Sequence, residues 1–154
     1  MYRGVSVMSD AGSIYDLKKT TDRLEIRFSS TMPHIDDVCT AVSLFLESKS
    51  DRFSPHLFAV NLVLREGLTN AVRHGNKNDP DKLVIMDLDT KDKDFIKVSI
   101  SDQGDGFQWQ AVRQMPVLDE ADHGRGLTIM DTYFDSCRYN TKGNVLYLEK
   151  RILS

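Results

Sequence analysis

The chain has 154 residues, 40% of them hydrophobic and 28% charged, a composition that suits one folded domain with a single core. Its formal net charge is −3 with the basic residues spread along the sequence, which disfavours a nucleic-acid binder. The two cysteines, Cys39 and Cys137, lie far apart without neighbours at metal-ligand spacing, so neither a disulfide framework nor a zinc site is suggested. Because no apolar run could span a membrane and no secretory signal is recognisable, we expect a cytoplasmic protein without membrane contact.

The N-terminal third begins without a clear structural period. Residues 1–20 are polar and mixed, so we expect a flexible leader there and a folded domain over residues 21–154. Residues 24–28 alternate apolar and charged side chains, which predicts a half-buried strand. Apolar residues spaced three and four apart over 35–48 then predict an amphipathic helix.

A second helix is predicted to begin near Ser54, an N-cap residue followed by proline, and to stop at Gly75. Residues 84–89 and 95–101 indicate a pair of strands, and their short polar connection favours an antiparallel hairpin.

Residues 109–123 lose all periodicity and suggest a mobile loop or lid. A helix over 127–134 and a closing hairpin of residues 137–140 and 145–150 follow. This order of elements favours an α+β fold, a two-layer sandwich with helices on one face of a mostly antiparallel sheet.

The second helix carries a polar face formed by Glu66, Asn70, Arg73 and His74. Such a face is more often simply solvated, because charged residues usually lie outside. A carboxylate and an amide oxygen are nevertheless both hard ligands that suit Mg²⁺ beside phosphates. Glu66 and Asn70 are therefore candidates for a magnesium-phosphate site.

The loop over 102–107 (DQGDGF) is either an ordinary turn or a ligand loop. A calcium loop of the EF-hand type is rejected, because Gly104 and Arg113 stand where an acidic or amide ligand and a bidentate glutamate belong. In the alternative, Gly104 and Gly106 let the backbone approach a flat ligand, and the Asp102 carboxylate accepts a hydrogen bond from an amino group such as that of adenine.

The segment Gly124-Arg125-Gly126 precedes the predicted third helix. Ile129 stands where a dinucleotide fingerprint needs glycine, and no P-loop motif occurs, so neither phosphate loop explains the segment. What remains is a helix N-terminus whose free N–H groups and dipole favour a phosphate.

Taken in order, the stretches 66–77 (EGLTNAVRHGNK), 102–107 and 124–127 (GRGL) are similar to the N box and the two glycine boxes of GHKL-type ATPases. The chain resembles the anti-sigma factor serine-protein kinases in particular, from about residue 21 to residue 152. Small members of that group also carry a Gly-Asn pair before the last strand, as Gly143 and Asn144 do here.

The resemblance implies a histidine-kinase-like ATP-binding domain that takes ATP and Mg²⁺. It implies that Asn70 coordinates the metal, that Asp102 binds the adenine amino group and that Glu66 is the general base toward a protein hydroxyl. The remaining nucleotide contacts that it suggests are Arg73, His74, Gly104, Gly106, Phe107, Gly124, Arg125, Gly126 and Leu127. His74 could equally cap or pack at the helix end.

Two functions from different classes remain open. The resemblance implies an anti-sigma factor with serine/threonine kinase activity, which phosphorylates an anti-sigma factor antagonist of the STAS type, sequesters a sigma factor and forms a homodimer. The alternative is an ATP-binding interaction module that transfers no phosphoryl group. The catalytic half of a two-component histidine kinase is disfavoured, because the residues before Thr21 are too few for a phospho-accepting helical hairpin.

Overall fold

The structure, a computed structural model, describes residues 3–9, 12–106 and 122–152, with only the backbone for 3–9 and 122–125. Within these residues, seven antiparallel strands form one sheet in the order β1-β2-β3-β4-β5-β7-β6. The strands are β1 Arg3–Ser9, β2 Ser13–Lys19, β3 Arg23–Ser29, β4 Leu83–Asp89, β5 Phe95–Ser101, β6 Ser136–Tyr139 and β7 Val145–Arg151. The helices are α1 Pro33–Lys49, α2 Leu57–Thr69 and α3 Asp122–Tyr133.

Apolar and polar side chains alternate along the strands, so the sheet has one buried face. In β3 the apolar residues Leu24, Ile26 and Phe28 are fully buried, while the charged residues between them point to the other face. Ile26 pairs with Met86 on β4, which in turn pairs with Ile100 on β5. A continuous apolar surface therefore runs across the centre of the sheet.

Helices α1 and α2 cover that surface. Val38, Val42 and Leu46 of α1 are fully buried, as are Leu64 and Leu68 of α2. These positions recur at spacings of three and four, so each helix presents one apolar stripe to the sheet. The two-layer α+β sandwich expected from the sequence is confirmed.

The expectation of a flexible leader over residues 1–20 is wrong for most of its length, because it contains strands β1 and β2. Strand β2 pairs with β3, so that Tyr15 lies opposite Phe28 and Leu17 lies opposite Ile26. Both residues pack against the core. The strand depends on this neighbour, which local periodicity could not reveal.

The N-terminal boundary of α2 also differs from the expectation. A 3-10 turn over Asp51–His56 precedes the helix, and Ser50, not Ser54, caps this turn by accepting the N–H of Arg52 at 3.2 Å. After Thr69 the helix continues as a π-helical turn over Asn70–Gly75.

Helix α3 begins at Asp122, so Gly124 and Gly126 lie inside the helix and not before it. Of the lid expected over 109–123, the part up to residue 121 lies outside the described residues. The predicted strands 84–89 and 95–101 and the closing hairpin are confirmed within a residue or two.

Across the described part of the chain, no helix has both the length and the apolar character that crossing a membrane would require.

Candidate functional site

The C-terminal end of α2 and the π-helical turn form one wall of a cavity. Gly67 lets the helix approach the sheet closely, since a Cβ atom there would lie 2.8 Å from Ile100 Cδ1 and 3.0 Å from Leu146 Cδ2. The widened turn that follows presents Asn70 and His74 to the same side. Such π-helical turns are frequent at functional sites, where they re-aim side chains.

The cavity has about 370 Å³ of space free of protein atoms, part of it open to solvent. Its floor and far wall come from the ends of strands β5, β6 and β7 and from the turn between the last two. Its lining residues are Gly67, Asn70, Ala71, His74, Gly75, Ile100, Asp102, Gly106, Tyr139, Gly143 and Leu146. A largely apolar pocket with a few polar groups is the usual form of a small-molecule site.

Glu66 and Asn70 lie one helical turn apart and face α3. A Cβ atom on Gly126 would be 3.3 Å from Glu66 Oε2 and 3.4 Å from Asn70 Nδ2, so glycine leaves more space beside these two side chains than a larger residue would. Both side chains are partly buried, and no hydrogen bond or ion pair from the described residues engages either of them. A carboxylate and an amide are thus available to a ligand.

Asp102 is held by the backbone around it. Its N–H donates to the Asn144 carbonyl oxygen at 3.0 Å, and its Oδ1 accepts the N–H of Gly104 at 2.8 Å. Burial raises the pKa of the Asp102 carboxyl group, an effect opposed by the Gly104 hydrogen bond and by the charges of Lys142 and Lys82. No hydrogen bond from the described part of the chain reaches Oδ2, which is left for a ligand.

The glycines of this loop permit contacts that a side chain would block. A Cβ atom on Gly75 would overlap the Asp102 carboxyl group, and one on Gly104 would overlap the Gly75 carbonyl oxygen. Gly106 has a φ of +86°, and a Cβ atom there would overlap the Lys142 carbonyl oxygen. The close approach of three backbone segments therefore requires glycine.

The turn between β6 and β7 closes the far side of the cavity. Asn140 Oδ1 accepts the N–H groups of Gly143 and Asn144, both at 2.9 Å, and that of Val145 at 3.1 Å. One amide oxygen thus shapes the turn that brings Gly143 to the cavity.

The structure brings most of the predicted site residues together. Asn70, His74, Asp102 and Gly106 line the cavity, Gly104 lies behind Asp102, and Glu66 and Gly126 lie beside Asn70.

Of the other predicted residues, Arg73 and Leu127 are described with their side chains, and neither lines the cavity. Arg73 is exposed and Leu127 is buried in the core. Gly124 and the backbone of Arg125 belong to the first turn of α3, while the Arg125 side chain and all of Phe107 lie outside what the structure describes.

Sequence reasoning missed the apolar wall formed by Ile100, Tyr139 and Leu146. Each occupies an inward position on a strand and so looks like any other core residue, and no local signal would have marked it. Asn76 was also missed, although its place at the end of a glycine-terminated helix could have drawn attention to its amide.

Comparison with known proteins identifies relatives over most of the chain. The family model described as the histidine kinase-like ATPase domain matches residues 28–150, which include all the described residues that line the cavity. The anti-sigma F factor of Priestia megaterium is 24% identical over 138 residues, covering 85% of this chain and 93% of the relative. The anti-sigma F factors of Geobacillus sp. (strain WCH70) and Geobacillus thermodenitrificans (strain NG80-2) are 27% and 26% identical over 140 residues, with the same coverage.

Proposed function

Because the chain belongs to the histidine kinase-like ATPase domain family, we propose that it binds Mg·ATP in the cavity between α2 and the ends of β5 and β7. We propose further that it is an anti-sigma factor with serine/threonine protein kinase activity. The observation that carries the proposal is the pair of Glu66 and Asn70: Asn70 lines the cavity, Glu66 lies beside it, and neither side chain has a partner among the described residues.

The base of the nucleotide belongs at the Asp102 end of the cavity. Oδ2 of Asp102 can accept one hydrogen bond from an exocyclic amino group, while Gly104 holds Oδ1 in place. Ile100 and Leu146 supply apolar surface to the flat ring. Adenine offers such an amino group at C6, and we propose it as the base.

The phosphates belong at the opposite end, beside Glu66 and Asn70. The amide oxygen of Asn70 fits a Mg²⁺ ion, which keeps several waters and takes only one or two protein ligands together with phosphate oxygens. When bound, Mg²⁺ would neutralise the charge that develops on the transferred phosphoryl group. Gly126 leaves space for the phosphates because it brings no side chain between these residues.

Glu66 is suited to act as the general base. Its carboxylate would accept the proton of a serine or threonine hydroxyl as that oxygen forms a bond to the γ-phosphorus. The bond between the γ-phosphorus and the bridging oxygen breaks, and ADP leaves. Partial burial and the lack of a competing ion pair among the described residues keep the carboxylate available.

The names of the relatives, each an anti-sigma F factor, support a sigma factor as one protein partner. We propose that this chain sequesters a sigma factor, phosphorylates an anti-sigma factor antagonist and acts as a homodimer. Nucleotide state would decide which partner is bound.

The test is phosphoryl transfer from Mg·ATP to purified antagonist candidates, comparing the wild type with Glu66→Gln. We expect the variant to bind ATP as the wild type does but to lose transfer by about 100-fold to 10,000-fold, the usual contribution of a general base. Glu47→Gln is the matched control, because Glu47 is exposed on α1 away from the cavity, and it should transfer normally.

If the wild type binds ATP but no antagonist candidate is phosphorylated, the ATP-binding interaction module is the better account. If Glu66→Gln transfers at the wild-type rate, Glu66 is not the base.

A further inference from the structure

Asn76 is a fully buried amide that follows the π-helical turn. Its Nδ2 donates to the Leu83 carbonyl oxygen at 2.9 Å and to Ser30 Oγ, and its Oδ1 accepts the N–H of Gln103 at 2.8 Å. Buried amides are tolerated when they are hydrogen-bonded in this way. One side chain therefore links the ends of α2 and β3, the start of β4 and the loop after β5.

The partners fix the orientation of the amide. The Leu83 carbonyl oxygen can only accept and the Gln103 N–H can only donate, so the nitrogen and oxygen of Asn76 cannot be exchanged. Neither aspartate, which lacks the donors, nor leucine, which lacks both functions, could replace it.

Gln103 completes the connection from the other side. Its side-chain Oε1 accepts the N–H of Leu83 at 2.7 Å, while its own N–H donates to Asn76. Gln103 lies between Asp102, which carries the proposed base-binding carboxylate, and Gly104, whose N–H holds that carboxylate. The position of this carboxylate is thereby tied to Asn76 and Leu83.

The backbone after Asn76 supports the same arrangement. Lys77 and Asn78 have φ values of 54° and 59°, which residues other than glycine rarely adopt. The N–H of Asn78 donates to the Val72 carbonyl oxygen at 2.8 Å, and the N–H of Asn76 donates to the Ala71 carbonyl oxygen, also at 2.8 Å. Strained backbone of this kind persists only where its surroundings fix it, as is common at ligand sites.

We propose that Asn76 is a positioning residue for the base of the bound nucleotide, acting through Gln103 to hold Asp102 and Gly104 in place. The inference rests on the proposed function, since it concerns the same cavity. Asn76 itself does not line the cavity, so it acts only through the loop.

The test compares nucleotide dissociation constants of the wild type, Asn76→Ala and Asn61→Ala. Asn61 is the matched control, because its Nδ2 also donates to a serine, Ser43 Oγ, at 2.9 Å, but joins α1 to α2 away from the cavity. We expect Asn76→Ala to weaken the binding of ATP and of ADP by the same factor, roughly tenfold, because both nucleotides carry the same base. Asn61→Ala should stay within about twofold of the wild type.

Phosphoryl transfer measured over a range of ATP concentrations separates positioning from a general loss of structure. Asn76→Ala should raise the KM for ATP with kcat unchanged, since Glu66 and Asn70 are untouched. Unchanged affinity for both nucleotides in a folded Asn76→Ala protein with a lower melting temperature would show a structural role only and would overturn the proposal.

Gln103→Ala is the second variant, and it does not depend on a buried position because Gln103 is exposed. The substitution removes the hydrogen bond that Gln103 Oε1 accepts from the N–H of Leu83, and it should weaken the binding of ATP and of ADP by roughly threefold to tenfold. Wild-type affinity in Gln103→Ala, with Asn76→Ala unfolded, would also overturn the proposal. Absence of ATP binding by the wild type would instead overturn the proposed function itself.

Discussion

At the scale of single residues, Asp102 shows how a carboxylate in the candidate site opposes the stability of the fold. Burial raises the pKa of its carboxyl group, so ionising it is less favourable in the folded chain than in the unfolded one. The penalty is absent below the ordinary carboxyl pKa of about 4 and grows as pH rises through the raised folded-state value. We infer that the charge is retained because it serves the ligand.

We therefore predict that Asp102→Asn stabilises the ligand-free protein at neutral pH. The amide keeps an oxygen for the Gly104 N–H but carries no charge, so we expect a gain in the free energy of unfolding at pH 7 that disappears below about pH 4. Urea unfolding of both proteins from about pH 3 to pH 7 measures the difference. Asp105→Asn, at an exposed neighbouring position, should change stability little at either pH. A stability gain that is independent of pH would show that the charge is not its cause.

At the scale of the elements, the loop after β5 depends on close backbone contact with the turn between β6 and β7. Gly106 and Gly12 both have positive φ values, +86° and +93°, but nothing lies within 4 Å of a Cβ atom on Gly12. The two positions therefore separate conformational strain from crowding.

We predict that Gly12→Ala destabilises the protein by about 1 kcal/mol, from strain alone. Gly106→Ala should lower the free energy of unfolding by at least about 2 kcal/mol more than Gly12→Ala does. The new Cβ atom would also overlap the Lys142 carbonyl oxygen and displace the turn between β6 and β7. Urea unfolding gives both values. Equal losses would mean that the loop and the turn are not in the contact described.

The elements that the sequence predicted well are those with a clear period of their own. Strands β3, β4 and β5 alternate strictly, and α1 repeats its apolar residues at helical spacing. Strand β2 was missed because its order depends on pairing with β3 and on contacts such as that of Ser13 Oγ with His34 Nε2 at 2.6 Å. The start of α3 was misplaced because its glycines were interpreted as preceding the helix, whereas they lie within its first turns.

At the scale of the whole molecule, the candidate site is assembled from segments far apart in sequence. The spacing of Glu66 and Asn70 and the glycine-rich loop at Asp102 were visible in the sequence, and their resemblance to a family of ATPases connected them. The apolar wall and the Asn76 network were not predictable, because they exist only where α2, β5 and the turn between β6 and β7 meet.

The central claim is that this assembled cavity binds ATP with its base at Asp102. Isothermal titration of Mg·ATP into the wild type and Asp102→Asn tests it most directly. We predict saturable binding to the wild type and an affinity at least about tenfold weaker in the variant, whose amide nitrogen would face the adenine amino group. Equal affinity in the two proteins, or no binding to the wild type, would contradict the account.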